Sequence, residues 1–272
     1  MRYSVPVRRR TRPQPLVQSV GRSFDILEAL AGAGEVGLVE LAGRAGLQPS
    51  TAHRLLSTLA DRGYVLQNAH TGRYLLGYKL LELASSVHQR TAHLRALARP
   101  HLVSIQKITG ETASLTLLEP PSVVYVDQIE GSRSVRMFAH IGAAVLPHTA
   151  AAGKAMLAFT PAGEVAEICG PEPLEQLTPH TITALSALED ELARVRRRGY
   201  AIDNEEHETG VSCVAAPIFD HGGVVRAAIS VSAPTPRVHA ADTAELGELL
   251  TNRAAEISGA LGFDGAEPPR DP

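Results

Sequence analysis

The first part of the chain combines a helical pattern of apolar residues with a short alternating segment. Within residues 37–45 apolar side chains recur at i, i+3, i+4 and i+7, namely Leu38, Leu41, Ala42 and Ala45. This spacing predicts an amphipathic helix, which Gly46 would end. Pro49 suits the first turn of a second helix, because the N–H that proline lacks has no helical partner there. That helix would bury Ala52, Leu55, Leu56 and Leu59.

The second helix also has a polar face, made of Ser50, Thr51, Arg54, Ser57 and Thr58. Hydroxyl and guanidinium groups on one helical face can reach phosphates and base edges in a DNA major groove. After Gly63, residues 64–66 and 73–76 are predicted to be strands with a turn near residues 70–72. This order of elements indicates a winged helix-turn-helix. The alternative left open is a helical hairpin packed inside a larger core.

The flanking segments extend this unit on both sides. A helix over residues 19–31 would complete a three-helix core through Val20, Phe24, Leu27 and Ala31. Residues 76–99 again have a helical pattern, and Pro100 would either kink this helix or start a new one that ends at Gly110.

The rest of the chain alternates strands and helices. Residues 112–118, 123–130 and 134–141 are predicted to be successive strands, and the short turns between them imply antiparallel pairing. Further strands are predicted over 199–203, 211–218 and 224–231, with helices over 150–158, from 162, over 184–198 and over 240–261. No βαβ unit repeats, so the predicted fold class is α+β.

Composition and charge narrow the class of protein. With 44% hydrophobic and 20% charged residues, the chain can form ordinary packed cores. Two cysteines give no disulfide framework, and no apolar run approaches a membrane span, so we expect a cytoplasmic protein. Residues 1–85 hold eleven Lys or Arg against six Asp or Glu, a net +5, which leaves −8 for the remainder of a chain of net charge −3. A basic first part on an acidic body suits a DNA-binding domain joined to a sensor.

Several motifs together carry a resemblance to a known family. They are SVGRSFDIL, PSTAHRLLSTLADRGYV, TGRYLLG, HTAAAGKAMLA, DNEEHETGVSCVAAPI and AAISVSAP, in this order over residues 19–262. In this the chain resembles the IclR-type transcriptional regulators. The resemblance implies a mainly α winged helix-turn-helix, a helical linker, and a C-terminal GAF/profilin-like antiparallel sheet domain with flanking helices. It also implies homodimers, often paired into tetramers, that bind palindromic operators and respond to small organic acids such as glyoxylate, pyruvate or aromatic acids.

Five segments are predicted on this basis. They are a disordered basic arm (1–18), the DNA-binding domain (19–85), the linker (86–99), the effector-binding domain (100–262) and a disordered tail (263–272). The arginines at positions 8–10 would contact phosphate or merely solubilise the arm.

The effector residues are carried over from the family. Ala151 and Ala152 would offer main-chain N–H groups to a carboxylate, and Ala151 stands where some members have Gly. The alternative for these small residues is tight helix packing. The resemblance also points Asp203, Cys213, Ser230 and Ser232 into the pocket. Because Asp203 would repel a carboxylate, it should accept from a ligand hydroxyl or else be protonated. Leu117, Val126, Met137 and Leu146 are candidates for the apolar lining or for the core.

For DNA we predict contacts from Ser50, Thr51, His53 and Arg54, with Arg22 and Arg73 on the backbone. No catalytic site is found, since no spacing places a nucleophile against a base. TAAAGK is not a phosphate-binding loop, because His148 stands where that motif needs Gly. His140, His148, His207 and Cys213 could gather around zinc, but their spacing is not diagnostic, and we predict no metal and no cofactor. The alternative function is a metabolite-binding module or an enzyme acting on a small acid, with the N-terminal helices used for protein contacts.

Overall fold

The computed structural model describes residues 17–31, 33–240 and 243–265. The chain forms two compact units, residues 1–90 and 91–272. Most of the predicted arm and tail, residues 1–16 and 266–272, lies outside the described residues. None of the helices in the described ranges combines the length and the hydrophobicity needed to cross a lipid bilayer.

The first unit is a three-helix core with a hairpin. Its elements are α1 (Gln18–Leu30), α2 (Leu38–Arg44), α3 (Pro49–Asp61), β1 (Val65–Gln67) and β2 (Tyr74–Leu76). As predicted, Pro49 is in the first turn of α3, and Gly46 and Gly63 follow α2 and α3 with φ of +63° and +74°. Only glycine adopts such angles without strain, so these two residues fix where the helices end. The hairpin pairs Val65 with Leu76 and Gln67 with Tyr74.

The buried face of α1 differs from the prediction. Ile26 and Leu30 are buried, whereas Val20 and Phe24 are 50% and 58% exposed. Leu27 is partly buried against the same core. Two overlapping apolar stripes fit a helical period here, and contact with α2 and α3 rather than periodicity selects the stripe that contains Ile26.

A continuous helix follows the hairpin. α4 (Lys79–Thr109) contains Pro100 without ending there. The second half of α4 supplies Ala98, Leu102 and Ile105 to the core of the second unit. The boundary between the two units, after Arg90, falls within this helix.

Six strands form one antiparallel sheet within the described part of the second unit. The strands are β3 (Thr112–Glu119), β4 (Ser122–Ile129), β5 (Ala144–Val145), β6 (Ala201–Asn204), β7 (Val211–Phe219) and β8 (Val225–Pro234). Their order across the sheet is β5-β4-β3-β8-β7-β6. The helices are α5 (Ala151–Leu157), α6 (Ala162–Cys169), α7 (Leu185–Arg198), α8 (Thr235–Ala240) and α9 (Thr243–Ala260).

Each face of the sheet has its own apolar core. On one face, α4 and α9 cover residues that include Leu115, Val214 and Ile229. On the other face, α5, α6 and α7 cover Ala215 and Ala228. Successive side chains of a strand point to opposite faces, so neighbouring residues of β3, β7 and β8 serve different cores. The fold is α+β, a winged helix-turn-helix followed by a curled antiparallel sheet with flanking helices.

The strand predicted over residues 134–141 is wrong. Residues 131–143 contain no strand among those described, and side chains bind their backbone instead. The Thr112 hydroxyl donates to the Met137 carbonyl at 2.5 Å, and the Ala139 N–H donates to Gln128 Oε1 at 3.2 Å. On the edge of β4 that this segment would have paired, β5 occupies Val123 and Val124. The helix predicted over 240–261 also differs, since helical structure starts earlier, at Thr235, and comprises α8 and α9.

Candidate functional site

A cavity of about 270 Å³ lies in the second unit, between the sheet and the start of α5. All six residues predicted to bind an effector line it, namely Ala151, Ala152, Asp203, Cys213, Ser230 and Ser232. Residues that are as much as 81 positions apart in sequence therefore meet around one space. The first turn of α5 has no helical acceptor for the N–H groups of Ala151 and Ala152, which leaves them available to a ligand.

The register of the sheet places the polar lining in rows. Thr112 lies directly opposite Ser232, Ser232 opposite Cys213, and Cys213 opposite Asp203. One polar row thus crosses four adjacent strands. Within it, the Cys213 thiol donates to Ser232 Oγ, with the sulfur and oxygen 3.1 Å apart. Burial and the nearby Asp203 carboxylate raise the pKa of the Cys213 thiol, so the thiol stays protonated.

Asp203 is the cavity residue whose pKa is moved close to neutral pH. It is 2% exposed, and Oδ1 accepts the N–H of Glu206 at 2.7 Å. Burial raises the pKa of Asp203 to about 7, against the opposing effects of that hydrogen bond and of the positive charge of Lys154. Near neutral pH the carboxyl group is therefore partly protonated, and it can donate to a ligand as well as accept from one.

A buried ion pair lies behind Asp203. Lys154, on α5, is fully buried, and its Nζ is 2.5 Å from Oε1 of Glu206. The Glu206 backbone carbonyl also accepts the Thr181 hydroxyl at 2.6 Å. Glu206 Oε2 is buried and has no partner among the described residues. These contacts fix the loop that follows β6, and so hold Asp203 against the cavity.

Sequence reasoning missed several polar residues of the cavity wall. They are Ser114, Tyr125, Gln128 and Glu208, together with His140 and His207, which the sequence suggested only as candidates for zinc. His207 Nδ1 lies 3.0 Å from the Thr149 hydroxyl, and burial lowers the pKa of His207, so its ring is neutral at pH 7. Burial also raises the pKa of the Tyr125 phenol. Alternation along β3 shows only that Thr112 and Ser114 share a face, and the pairing of β3 with β8 decides that this face is the one with Ser230 and Ser232.

Of the four candidates for the apolar lining or the core, Met137 lines the cavity. Leu117 and Val126 belong to the core on the opposite face of the sheet. Leu117 is an odd position of β3, and these positions point away from the cavity. Leu146 does not line the cavity either. The apolar wall comes instead from the loop after β4 and from β5, through Phe138, Ala139, Ala143 and Val145.

The histidines and the cysteine considered for zinc do not form a metal site. His140, His207 and Cys213 line the cavity, while His148 Nε2 is bound to the Glu175 carbonyl at 2.9 Å. No group of three or more His, Cys, Asp or Glu side chains is placed to hold a metal ion within the described residues.

The first unit presents the residues predicted to contact DNA. On α3, Ser50, His53 and Arg54 are exposed and Thr51 is half-buried. The Arg54 side chain has no ion pair or hydrogen bond within the described residues, so its guanidinium group is available. Arg22, on α1, is half-buried.

Arg73 has a second role that the sequence did not reveal. Its guanidinium group donates twice to the Glu35 carbonyl, at 2.9 and 3.1 Å, and lies 3.7 Å from Glu40. The Glu35 carboxylate in turn accepts from the Asn68 amide and the Thr71 hydroxyl. Glu35 therefore attaches the hairpin turn to the helical core, and Arg73 contributes to that attachment.

Comparison with known proteins agrees with both units. Residues 86–259 match the family described as "Bacterial transcriptional regulator IclR C-terminal", and residues 19–69 match the "IclR helix-turn-helix domain". The chain belongs to the IclR family. It is thus related to DNA-binding transcriptional regulators.

Individual members of the IclR family align over nearly the whole chain. The HTH-type transcriptional regulator KdgR of Dickeya chrysanthemi is 36% identical over 247 residues, 91% of this chain and 81% of that protein. The crystal structure of the Thermotoga maritima IclR superimposes with a TM-score of 0.73 at 37% identity, covering 91% of this chain and all of that one. An IclR homologue from Microbacterium hydrocarbonoxydans, crystallised with 4-hydroxybenzoate, gives a TM-score of 0.71 at 27% identity, with 89% and 98% coverage.

Proposed function

We propose that this chain is a cytoplasmic transcriptional regulator whose affinity for an operator is controlled by a small organic acid in the cavity of the second unit. The observation that carries the proposal is the convergence of the six effector residues on one cavity, with Asp203 at its wall. A relative crystallised with 4-hydroxybenzoate supports an acid as the ligand class.

The acid would be held by main-chain and hydroxyl donors. Its carboxylate would accept from the N–H groups of Ala151 and Ala152, and from Ser230 or Ser232. Asp203, with a pKa of about 7, would donate to or accept from a second polar group of the ligand. Ala151 adds a methyl group at the wall, which favours a small acid.

The DNA partner would be double-stranded and pseudo-palindromic. A homodimer, or a tetramer made of two dimers, would place two copies of α3 about one helical turn apart in successive major grooves. Ser50, Thr51, His53 and Arg54 would contact bases and phosphates, and Arg22 and Arg73 would contact the backbone. The effector would change operator affinity by binding one arrangement of the assembly better than another.

A mobility-shift assay on the intergenic DNA upstream of the chain's own gene tests this proposal. Glyoxylate, pyruvate, protocatechuate and 4-hydroxybenzoate would be added in turn. We expect a specific, salt-sensitive shift that one acid alters. Absence of specific binding at low salt, or turnover of an acid by the purified chain, would favour the metabolite-binding module or enzyme instead.

A further inference from the structure

Several polar groups of the cavity wall have no hydrogen-bond partner among the residues that the structure describes. The hydroxyl groups of Ser114, Ser230 and Tyr125 make no hydrogen bond to any described residue. The amide of Gln128 is half used: its oxygen accepts the Ala139 N–H, and its nitrogen has no acceptor among the described residues. When Ser232 is the serine that donates to the proposed carboxylate, the cavity therefore presents four further hydrogen-bonding groups.

The sheet register puts these groups in a line. Ser114 on β3 lies directly opposite Gln128 on β4 and directly opposite Ser230 on β8. Neighbouring strands are about 4.8 Å apart, so the row Gln128–Ser114–Ser230 is about 10 Å long. Tyr125 pairs with Thr116, two residues beyond Ser114 along the same strand. Ser114 and Ser230 are only 1% and 4% exposed, so their hydroxyl groups belong to the cavity rather than to the protein surface.

Such a row favours ligands that can form hydrogen bonds with it, because a ligand that leaves these groups unpaired loses affinity. A ligand that displaces water from a buried donor without replacing its hydrogen bond binds roughly 5- to 150-fold more weakly for each such group. An aromatic ring or an alkyl chain laid along this row would leave several groups unpaired. A ligand with hydroxyl groups on successive carbons would pair them, and sites built for hydroxyls strongly reject analogues that lack them.

We infer that the row Gln128–Ser114–Ser230, with Tyr125 beside it, binds the hydroxyl groups of an acyclic polyhydroxy carboxylic acid. The cavity volume of 270 Å³ limits the size of this acid. Cavities that hold drug-sized ligands are usually about 300–1,000 Å³, so this cavity suits a smaller molecule. We therefore expect an acid of about four to six carbons. The inference rests on the proposed function, in which the cavity is the effector site, and it specifies the chemical class of the effector.

Calorimetric titration of the full chain with matched acids tests the inference. The hydroxylated acids are threonate, xylonate and gluconate, and butyrate, pentanoate and hexanoate are their counterparts without hydroxyl groups. 4-Hydroxybenzoate is included as the aromatic rival. We expect at least one hydroxylated acid to bind about 100-fold more tightly than its counterpart. The inference is overturned if none of the hydroxylated acids binds, or if a counterpart or 4-hydroxybenzoate binds as tightly.

Two variants then assign the effect to the row. S114A and Y125F each remove one hydroxyl group, and each should weaken binding of the preferred hydroxylated acid about tenfold while changing that of its counterpart less than about twofold. S212A is the matched control, because Ser212 is a buried serine of β7 on the opposite face and pairs with Thr235. Thermal unfolding verifies that all three variants are folded. Unchanged affinity in both S114A and Y125F contradicts the inference.

The two proposals can fail separately. If pyruvate or 4-hydroxybenzoate alters DNA binding while no hydroxylated acid binds, the proposed regulatory function is supported and a polyhydroxy acid is excluded as the effector. If a hydroxylated acid binds in the cavity but the chain binds no DNA at low salt, the class of ligand remains and the regulatory function is excluded.

Discussion

The side chain of Lys154 is completely enclosed, and its Nζ lies 2.5 Å from Glu206 Oε1. This pair joins α5, which carries Ala151 and Ala152, to the loop after β6, which follows Asp203. The two walls of the cavity are therefore connected by one ion pair. A buried charge that loses its partner is costly, whereas removal of both charges is tolerated far better.

K154M should accordingly lower the free energy of unfolding by about 3–5 kcal/mol, because it leaves Glu206 buried without its cation. The double variant K154M/E206L should be more stable than K154M. Urea unfolding followed by circular dichroism measures both. K79M is the matched control, since Lys79 pairs with Glu82 on the surface and its loss should leave the free energy of unfolding nearly unchanged. Equal losses in K154M and K79M would contradict this account.

The raised pKa of Asp203 predicts a pH dependence of stability. The unfolded chain releases this proton near pH 3.8, whereas the folded chain retains it to about pH 7. Between these values the folded state binds more protons, so this group's contribution to stability falls as the pH rises. Asparagine cannot ionise, and D203N should therefore gain stability relative to the unmodified chain from pH 4 to pH 8. Unfolding curves at each pH test this, and a constant difference between the two proteins would refute it.

Arg54 should contribute directly to operator binding. Its exposed guanidinium group on α3 has no partner within the described residues. R54A should weaken operator binding by about 1–3 kcal/mol if Arg54 contacts a base edge, with relaxed preference at that position. R253A is the control, because Arg253 pairs with Glu256 in the second unit. Fluorescence anisotropy at several salt concentrations measures both variants, and unchanged affinity and preference in R54A would remove Arg54 from the interface.

Gly153 should tolerate no side chain. A Cβ at this position of α5 would lie 2.1 Å from the Pro147 carbonyl oxygen, and backbone would have to move. G153A should therefore lower the free energy of unfolding by about 1–3 kcal/mol or more and weaken effector binding through α5. G163A provides the contrast, since Gly163 is an exposed position of α6 with open space around it. There alanine should raise stability by about 0.4–1 kcal/mol. Calorimetry measures the stability of both variants. If G153A is as stable as the unmodified chain, the prediction is contradicted and Pro147 moves at little cost.

Elements with a local signal were predictable from sequence. Pro49, Gly46 and Gly63 fix helix ends through their own backbone preferences, so the order of α2, α3 and the hairpin followed from them. The segment 134–141 has the alternation of a strand, but alternation cannot reveal that the side chains of Thr112 and Gln128 bind its backbone.

The same distinction holds within the site. The residues near 151 and 203 belong to motifs that resemble those of the IclR family, and the structure brings them to one cavity. That they bind an effector stays a prediction. Ser114 and Gln128 had no such signal, because their position at the cavity depends on register with β8 and β4. Long-range register is fixed by packing of the whole sheet rather than by local sequence.

The alternation along β3 has a consequence for how such sensors diversify. Ala113 and Leu115 pack in the core beneath α4 and α9. Thr112 and Ser114, which alternate with them along the strand, line the cavity. The same holds on β8, where Ile229 and Val231 alternate with Ser230 and Ser232. Mutations at every second position can therefore retune ligand preference while the core residues that keep the domain folded remain unchanged. Evolution can explore new chemical signals at these sites with little risk to folding, whereas a single inserted residue would exchange the two sets and destroy both.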